Sequence, residues 1–244
     1  MSIKNVASCS FGKDSLAMVL LLMEKEYPLD EVIFYDTGME FKAIYSIREK
    51  LQPIFEQKGI VYTELKPKNP FLYDMLERPV ISKQNGAHNG YGWCGGVCRW
   101  GTTNKVHVID NYVRDVDAHY IGIAADETKR LARLTKPKEA PLAKWGMTEK
   151  DCLEYCYARG FTWEENGVEL YRILDRVSCW CCANKNLKEL KNMYTYLPEY
   201  WMRLKNLQAQ ISKPMKRFSN RKYGDYGSVF EMERVFTATL GNEH

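Results

Sequence analysis

Between its first strand and residue 160 the chain alternates short apolar runs with longer helix-forming ones, and this alternation limits its fold more than any other feature. "IKNVASCS" reads as a strand ending near Ser10, and Ser15 to Glu26 as a helix so apolar in its early turns that it must be buried. Glu31 to Tyr35 is a second strand, stopped by Asp-Thr-Gly, and Phe41 to Gln57 a helix with charges along one face. "IVYTELKP" is a third strand, Thr102 to Arg114 a helical stretch and "AHYIGIAAD" a fourth strand. "TEKDCLEYCYARG" is a helix with Thr148 as its N-cap and Gly160 at its end. Strands that alternate with helices predict a doubly wound, mostly parallel α/β sheet covered on both faces. The later stretch "NLKELKNMYTYLPEYWMRLKNLQAQI" reads as two helices divided near Pro198, a helical C-terminal extension. Residues 67–95, rich in Pro, Asn and Gly, read as loop. The expected division is 1–190 for the sheet domain and 191–244 for a helical, basic extension packed on it.

Composition excludes some classes. With 45% apolar residues among 244, a sizeable core can be buried, and no apolar run approaches the ~18 residues of a membrane span. The start "MSIKNVASCS" has no apolar leader, so a cytoplasmic location is expected. There the eight cysteines are thiols or metal ligands rather than disulfides.

The first strand-to-helix corner, "SFGKDS", carries the clearest chemistry. In such a sheet this loop lies at the carboxyl edge, where ligands bind. The helix start offers unpaired N–H groups and the positive end of its dipole, Gly12 admits close backbone approach, Ser10 and Ser15 offer hydroxyls and Lys13 a charge. The corner is not a Walker A loop, and the bland alternative is a strand–helix junction with an incidental lysine.

The corner resembles the PP-loop, written S-G-G-K-D-S in N-type ATP pyrophosphatases and in the phosphoadenosine phosphosulfate (PAPS) reductase-like family, with Phe11 in place of a glycine. "FYDTGMEF" resembles the family's D-T-G-x-x-F stretch, "IGIAADETKR" its G-I-R-x-D-E-S-x-x-R stretch with Ala124 at the arginine, and "APLAKWGMTEKDCLEY" its P-L-x-x-W-x-x-x-D-x-x-x-Y segment. "SCWCCANK" is similar to the G-C-x-x-C-P element, and the pieces run in family order from residue 8 to about 190. The resemblance implies the adenine nucleotide alpha hydrolase-like fold and a bound adenosine nucleotide, ATP or PAPS, with Mg2+ accompanying ATP. Ser10, Phe11, Gly12, Lys13, Asp14 and Ser15 would hold phosphate or sulfate, and Asp36, Thr37 and Gly38, with Gly122 across the sheet edge, the rest of the nucleotide. Lys13, Asp14 and Arg130 are the implied catalytic residues; Asp126, Glu127 and Arg133 lie beside Arg130.

Cys94 and Cys98 stand as C-x3-C in a glycine-rich loop, and Cys179, Cys181 and Cys182 as C-x-C-C. Two loop clusters fit one four-thiolate site, with Cys94, Cys98, Cys179 and Cys182 the expected ligands and Cys181 a substitute or a nucleophile. Spacing alone leaves structural zinc and a 4Fe-4S cluster open; relatives that carry 4Fe-4S favour the cluster. Cys9, Cys152 and Cys156 read as core thiols.

Assimilatory PAPS reductases resemble one another in a C-terminal cysteine that attacks sulfur; this chain has none after Cys182. The expected activity is therefore ATP pyrophosphatase-type activation of a substrate for sulfur transfer, with a sulfur donor protein as a further partner. A sulfonucleotide reductase with a displaced nucleophile and a non-catalytic nucleotide- and metal-binding regulatory module are the alternatives. Residues 213–226, "KPMKRFSNRKYGDY", mix basic and aromatic residues, so a nucleic acid is a candidate partner.

Overall fold

The computed structural model describes residues 4–83, 86–220 and 224–240. The chain forms two compact units, each discontinuous in sequence: Met1–Pro67 with Asn104–Glu169, and Lys68–Thr103 with Leu170–His244. Residue 190, the expected boundary, falls inside the second unit.

The first unit is built on five parallel strands, β1 (Asn5–Ser8), β2 (Glu31–Tyr35), β3 (Val61–Leu65), β4 (Ala118–Ile121) and β5 (Lys138–Glu139). Their order is β3-β2-β1-β4-β5, so the chain winds outward from β1 to β3 and then crosses to β4 on β1's other side. That reversal creates a crevice at the carboxyl ends of β1 and β4. This is the doubly wound parallel sheet that the alternation predicts.

Helices α1 (Lys13–Glu24), α2 (Lys42–Gln57), α3 (Lys105–Tyr112) and α4 (Glu149–Ala158) accompany the sheet. Val6, Ile33 and Tyr35 of the strands form a buried cluster with Ile109 of α3 and the adjacent Val113. Helix α1 packs against α4, and eight of its residues are buried, including Leu16, Ala17, Met18 and Val19 in succession. Burial on all sides explains its apolar run. Helix α2 buries Ala43, Ile44, Ile47, Leu51 and Phe55 at helical spacing and leaves its charges outside. A capping box, with Thr148 Oγ1 accepting from Asp151 N–H at 3.2 Å and Asp151 Oδ2 accepting from Thr148 N–H at 2.9 Å, starts α4 where the sequence places it.

The second unit corrects one expectation. Residues 67–95 hold a π-helical turn at Tyr73–Glu77 and an antiparallel hairpin, Pro79–Ser82 with Gly86–Asn89. The composition hid two anchors: Phe71 lies 4.5 Å, centre to centre, from Trp100, and Met75 is buried. Gly90 turns through φ +67°, and a Cβ there would meet Met75 O at 2.3 Å. The unit also contains α5 (Leu187–Tyr196) and α6 (Pro198–Gln210), divided at Pro198 as expected, and α7 (Val229–Leu240). Tyr194, Trp201 and Phe236 join these three helices through ring contacts of 5.5–5.8 Å.

Candidate functional site

The loop from β1 to α1 is held open by a strained residue. Phe11 takes φ +56°, the left-handed region that a non-glycine residue enters at a cost of about 1–2 kcal/mol. Its ring is fully buried, edge-on to Phe34 at 5.1 Å, and its carbonyl accepts a bond from Trp163 Nε1 at 2.8 Å. The glycine of the related motif thus becomes an aromatic anchor pointing into the core. Outside it, Ser15 Oγ accepts from Ser10 N–H at 3.1 Å and donates to Gly12 O at 3.2 Å, while Ser10 Oγ stands 3.1 Å from Ser15 Oγ. Gly12 is the N-cap of α1 and contributes no side chain, so no side chain caps the helix's first N–H groups. An uncapped start of a 12-residue helix at a sheet crevice is suited to an anion.

Lys13 begins that helix, buried to 6% exposure. Its Nζ lies 2.7 Å from Asp14 Oδ1 and 2.6 Å from Glu149 Oε2. Burial pulls the lysine's pKa down, but the two carboxylates outweigh it and hold it above the ordinary value, fully charged. For Asp14 burial wins instead and raises its pKa, against the pull of Lys13 and with Glu149 and Glu127 adding repulsion. Glu149 opens α4, and its own N–H donates to Asp126 Oδ1 at 3.1 Å. Ala125 N–H bonds Met147 O at 2.7 Å, so the segment after β4 and the start of α4 are tied together beside the lysine.

Gly122 follows β4 and abuts α1: a Cβ there would stand 2.7 Å from Ser15 Cα. Its place in the site is therefore close approach of two backbones. At the end of β2, Asp36 Oδ1 accepts from Gly38 N–H at 2.8 Å and from Tyr45 Oη at 2.7 Å. Burial and Asp36 together raise the Tyr45 pKa. Thr37 Oγ1 donates to Glu40 at 3.0 Å and accepts from Met39 N–H at 3.2 Å, and Gly38 turns through φ +74°. Arg130 grips both oxygens of Glu127 at 2.6 and 2.8 Å, and Glu127 in turn accepts from Ala124 N–H at 3.2 Å. The structure thus gathers the loop residues, Gly122 and Asp126 around one corner of the sheet and gives Arg130 an acidic partner. Sequence reasoning missed Glu149, Trp163 and Tyr45. The sequence marks Glu149 only as the residue after a helix N-cap, and it offers no sign of Trp163's bond to the loop.

All five loop cysteines belong to the second unit. Cys94 Sγ accepts from Arg99 N–H at 3.3 Å and Cys98 Sγ from Gly101 N–H at 3.5 Å, bonds of the kind that steady thiolate ligands. Asn184 fastens the two loops together: its side chain accepts from Gly96 N–H at 2.7 Å and donates to Gly96 O at 2.9 Å. Burial raises the Cys98 pKa, and the nearby Cys94 and Cys182 add to it. Among the described residues no three His, Cys, Asp or Glu side chains stand where they could hold a metal ion. The donor set itself, soft thiols on two cross-tied loops, fits zinc or iron–sulfur in kind.

Residues 213–226 include a hairpin, Phe218–Asn220 with Gly224–Tyr226. Arg221, Lys222 and Tyr223 lie outside the described residues. Lys216 turns inward and donates to Lys185 O. Among the described residues no helix is long and apolar enough to cross a membrane.

A family model, the phosphoadenosine phosphosulfate reductase domain, matches residues 4–162. Two uncharacterized proteins of Methanocaldococcus jannaschii are 24% and 26% identical, over 84% and 80% of this chain. The matched segments make up 41% and 46% of those proteins, so the chain spans less than half the length of the curated relatives it matches. Among solved structures, the U34-tRNA thiolase NcsA from Methanococcus maripaludis with its 4Fe-4S cluster is similar at 18% identity and a TM-score of 0.47, covering 98% of this chain and 73% of that one.

Proposed function

This chain belongs to the phosphoadenosine phosphosulfate reductase domain family, and on that premise we propose that it binds ATP at the β1–α1 corner and activates an acceptor for sulfur transfer. The observation that carries this reading is Lys13, buried and held charged at the uncapped start of α1. The nucleotide's phosphates take the position opposite Lys13 and the first N–H groups of α1, with Ser10 and Ser15 donating hydroxyl bonds. Asp36 to Gly38, at the carboxyl end of the neighbouring strand, face the nucleoside. An acceptor oxygen attacks the α-phosphorus, its bond to phosphorus forms, and the bond to the bridging oxygen breaks to release pyrophosphate. A hydrosulfide ion then forms a carbon–sulfur bond as the carbon–oxygen bond breaks and AMP leaves. Lys13 stabilises the charge that develops on the departing phosphates. Asp14 would hold a magnesium ion, which when bound neutralises pyrophosphate charge. Cys94, Cys98, Cys179 and Cys182 would hold the metal centre, a 4Fe-4S cluster or zinc.

The test is product analysis of anaerobically purified protein given ATP, magnesium, sulfide and RNA or DNA. Pyrophosphate and AMP in equal amounts, lost in Lys13→Ala, are the expected products. Sulfite from PAPS with a thiol donor would instead make the protein a reductase, and tight nucleotide binding without turnover would make it a regulatory module.

A further inference from the structure

A cleft of about 530 Å³ lies in the second unit, lined by Arg78, Arg99, Lys213, His88 and Tyr91 among others. Among the described residues that line it there is no carboxylate. Arg99 stands 4.1 Å from the centre of the Tyr91 ring and Arg78 5.6 Å from it. A ring steadies a guanidinium without cancelling its charge, as a carboxylate would. Asp74 lies 3.3 Å from Arg78 and offsets that charge in part, whereas Arg99 and Lys213 are exposed.

The cleft continues beyond one ligand's length. A second cavity, of about 260 Å³, shares His88, Tyr91 and Lys213 with it. A separate cavity of about 420 Å³, which begins at Pro214, next in the chain, holds Arg217 but also the carboxylates of Asp225 and Glu231. One such cavity is the size of a single small ligand. The two that share residues, with Arg78, Arg99 and Lys213 around the rings of Tyr91 and His88, suit a chain of phosphates and bases.

We propose that this groove binds a single-stranded nucleic acid, with phosphates on Arg78, Arg99 and Lys213 and bases against the rings of Tyr91 and His88. A concave groove fits a flexible strand, and rings give stacking without sequence preference. The proposal deepens the reading of a nucleic acid as acceptor, but it does not depend on nucleotide turnover.

The experiment is fluorescence anisotropy of the full chain with a labelled 20-nucleotide RNA or DNA of mixed sequence across a salt series. The double variant Arg99→Glu, Lys213→Glu is expected to weaken binding at least tenfold. It should also lower the slope of log Kd against log salt by about 1.4, the share of two single-strand phosphate contacts. Lys50→Glu, on α2 in the first unit, makes a smaller net-charge change and should do neither. Lys13→Ala, which removes the nucleotide site, should leave oligonucleotide affinity unchanged, so loss of ATP turnover and loss of this groove are read separately. Circular dichroism and thermal melting confirm that each variant is folded. No binding by the unaltered chain at low salt, equal weakening by Lys50→Glu, or preference for polyglutamate over the oligonucleotides would each overturn the proposal.

Discussion

Glu149 Oε2 lies 2.6 Å from Lys13 Nζ, although 136 residues separate the two in sequence. If ATP binds at this corner as proposed, its phosphate and Glu149 compete for one lysine. Glu149→Gln is expected to tighten ATP binding about fivefold, since an ion pair with one half-exposed partner is worth about 1 kcal/mol. Calorimetry with ATP, and with adenosine as a phosphate-free control that should not change, checks it. Weaker ATP binding would mean that Glu149 holds the nucleotide or its magnesium.

Phe11 sets backbone strain against aromatic burial. Phe11→Ala keeps the φ of +56° and loses the ring, a cost of about 3–5 kcal/mol. Phe11→Gly loses the same ring but relieves about 1–2 kcal/mol of strain. Chemical denaturation should therefore rank the glycine variant above the alanine variant, although glycine is the smaller residue. The reverse order would show that the loop carries no strain.

His119, on β4, is buried, with Ser8 Oγ 2.7 Å from its Nε2. Its Nδ1 has no hydrogen-bond partner among the described residues. Burial, with help from Lys138, pushes its pKa down to about 4 from an ordinary 6.5. The folded value lies below the unfolded one, so the unfolded chain takes up the proton first. The neutral ring's contribution is whole above pH 6.5 and is lost as pH falls toward 4, at up to about 1.4 kcal/mol per pH unit. His119→Gln, which keeps a partner for Ser8 and does not titrate, should flatten this part of the curve of melting temperature against pH. An identical acid limb in both proteins would refute the assignment.

Cys94→Ser or Cys182→Ser should lower metal content and melting temperature together in protein prepared without oxygen. Cys152→Ser, in the other unit, should leave the metal unchanged. Broad absorption near about 400 nm would identify iron–sulfur, and about one zinc in a colourless protein the structural alternative. Metal retained by both loop variants would exclude these thiols as ligands.

The sheet was legible because its signals are local. Val32, Ile33 and Phe34 announce a strand between turn residues, and Thr148 with Asp151 announces a helix start. The turn from strand to helix between Ser10 and Ser15 was legible because Gly12 and the polar residues around it sit next to one another. Glu149 was not, because its meaning depends on a lysine far away in sequence. Residues 67–95 failed for a related reason. Their order comes from Phe71 against Trp100 and from Met75 inside the fold, isolated apolar residues that composition averages away. The two-unit division was hidden because the second unit is assembled from two segments far apart in sequence, Lys68–Thr103 and Leu170–His244.

The strand order has a consequence for synthesis. Once residue 65 has left the ribosome, β1, β2 and β3 can pair, yet β1 keeps one bare edge until β4 arrives after residue 117. Throughout that interval the nascent chain exposes an unpaired strand edge, and the excursion from 68 to 103 lengthens it. The β1–α1 corner also lacks its far wall, since Gly122 has not yet been made. Ribosome-bound chains stalled near residue 110 should therefore be the stage most prone to aggregate or recruit a chaperone, and those stalled beyond residue 160 should be released from that hazard.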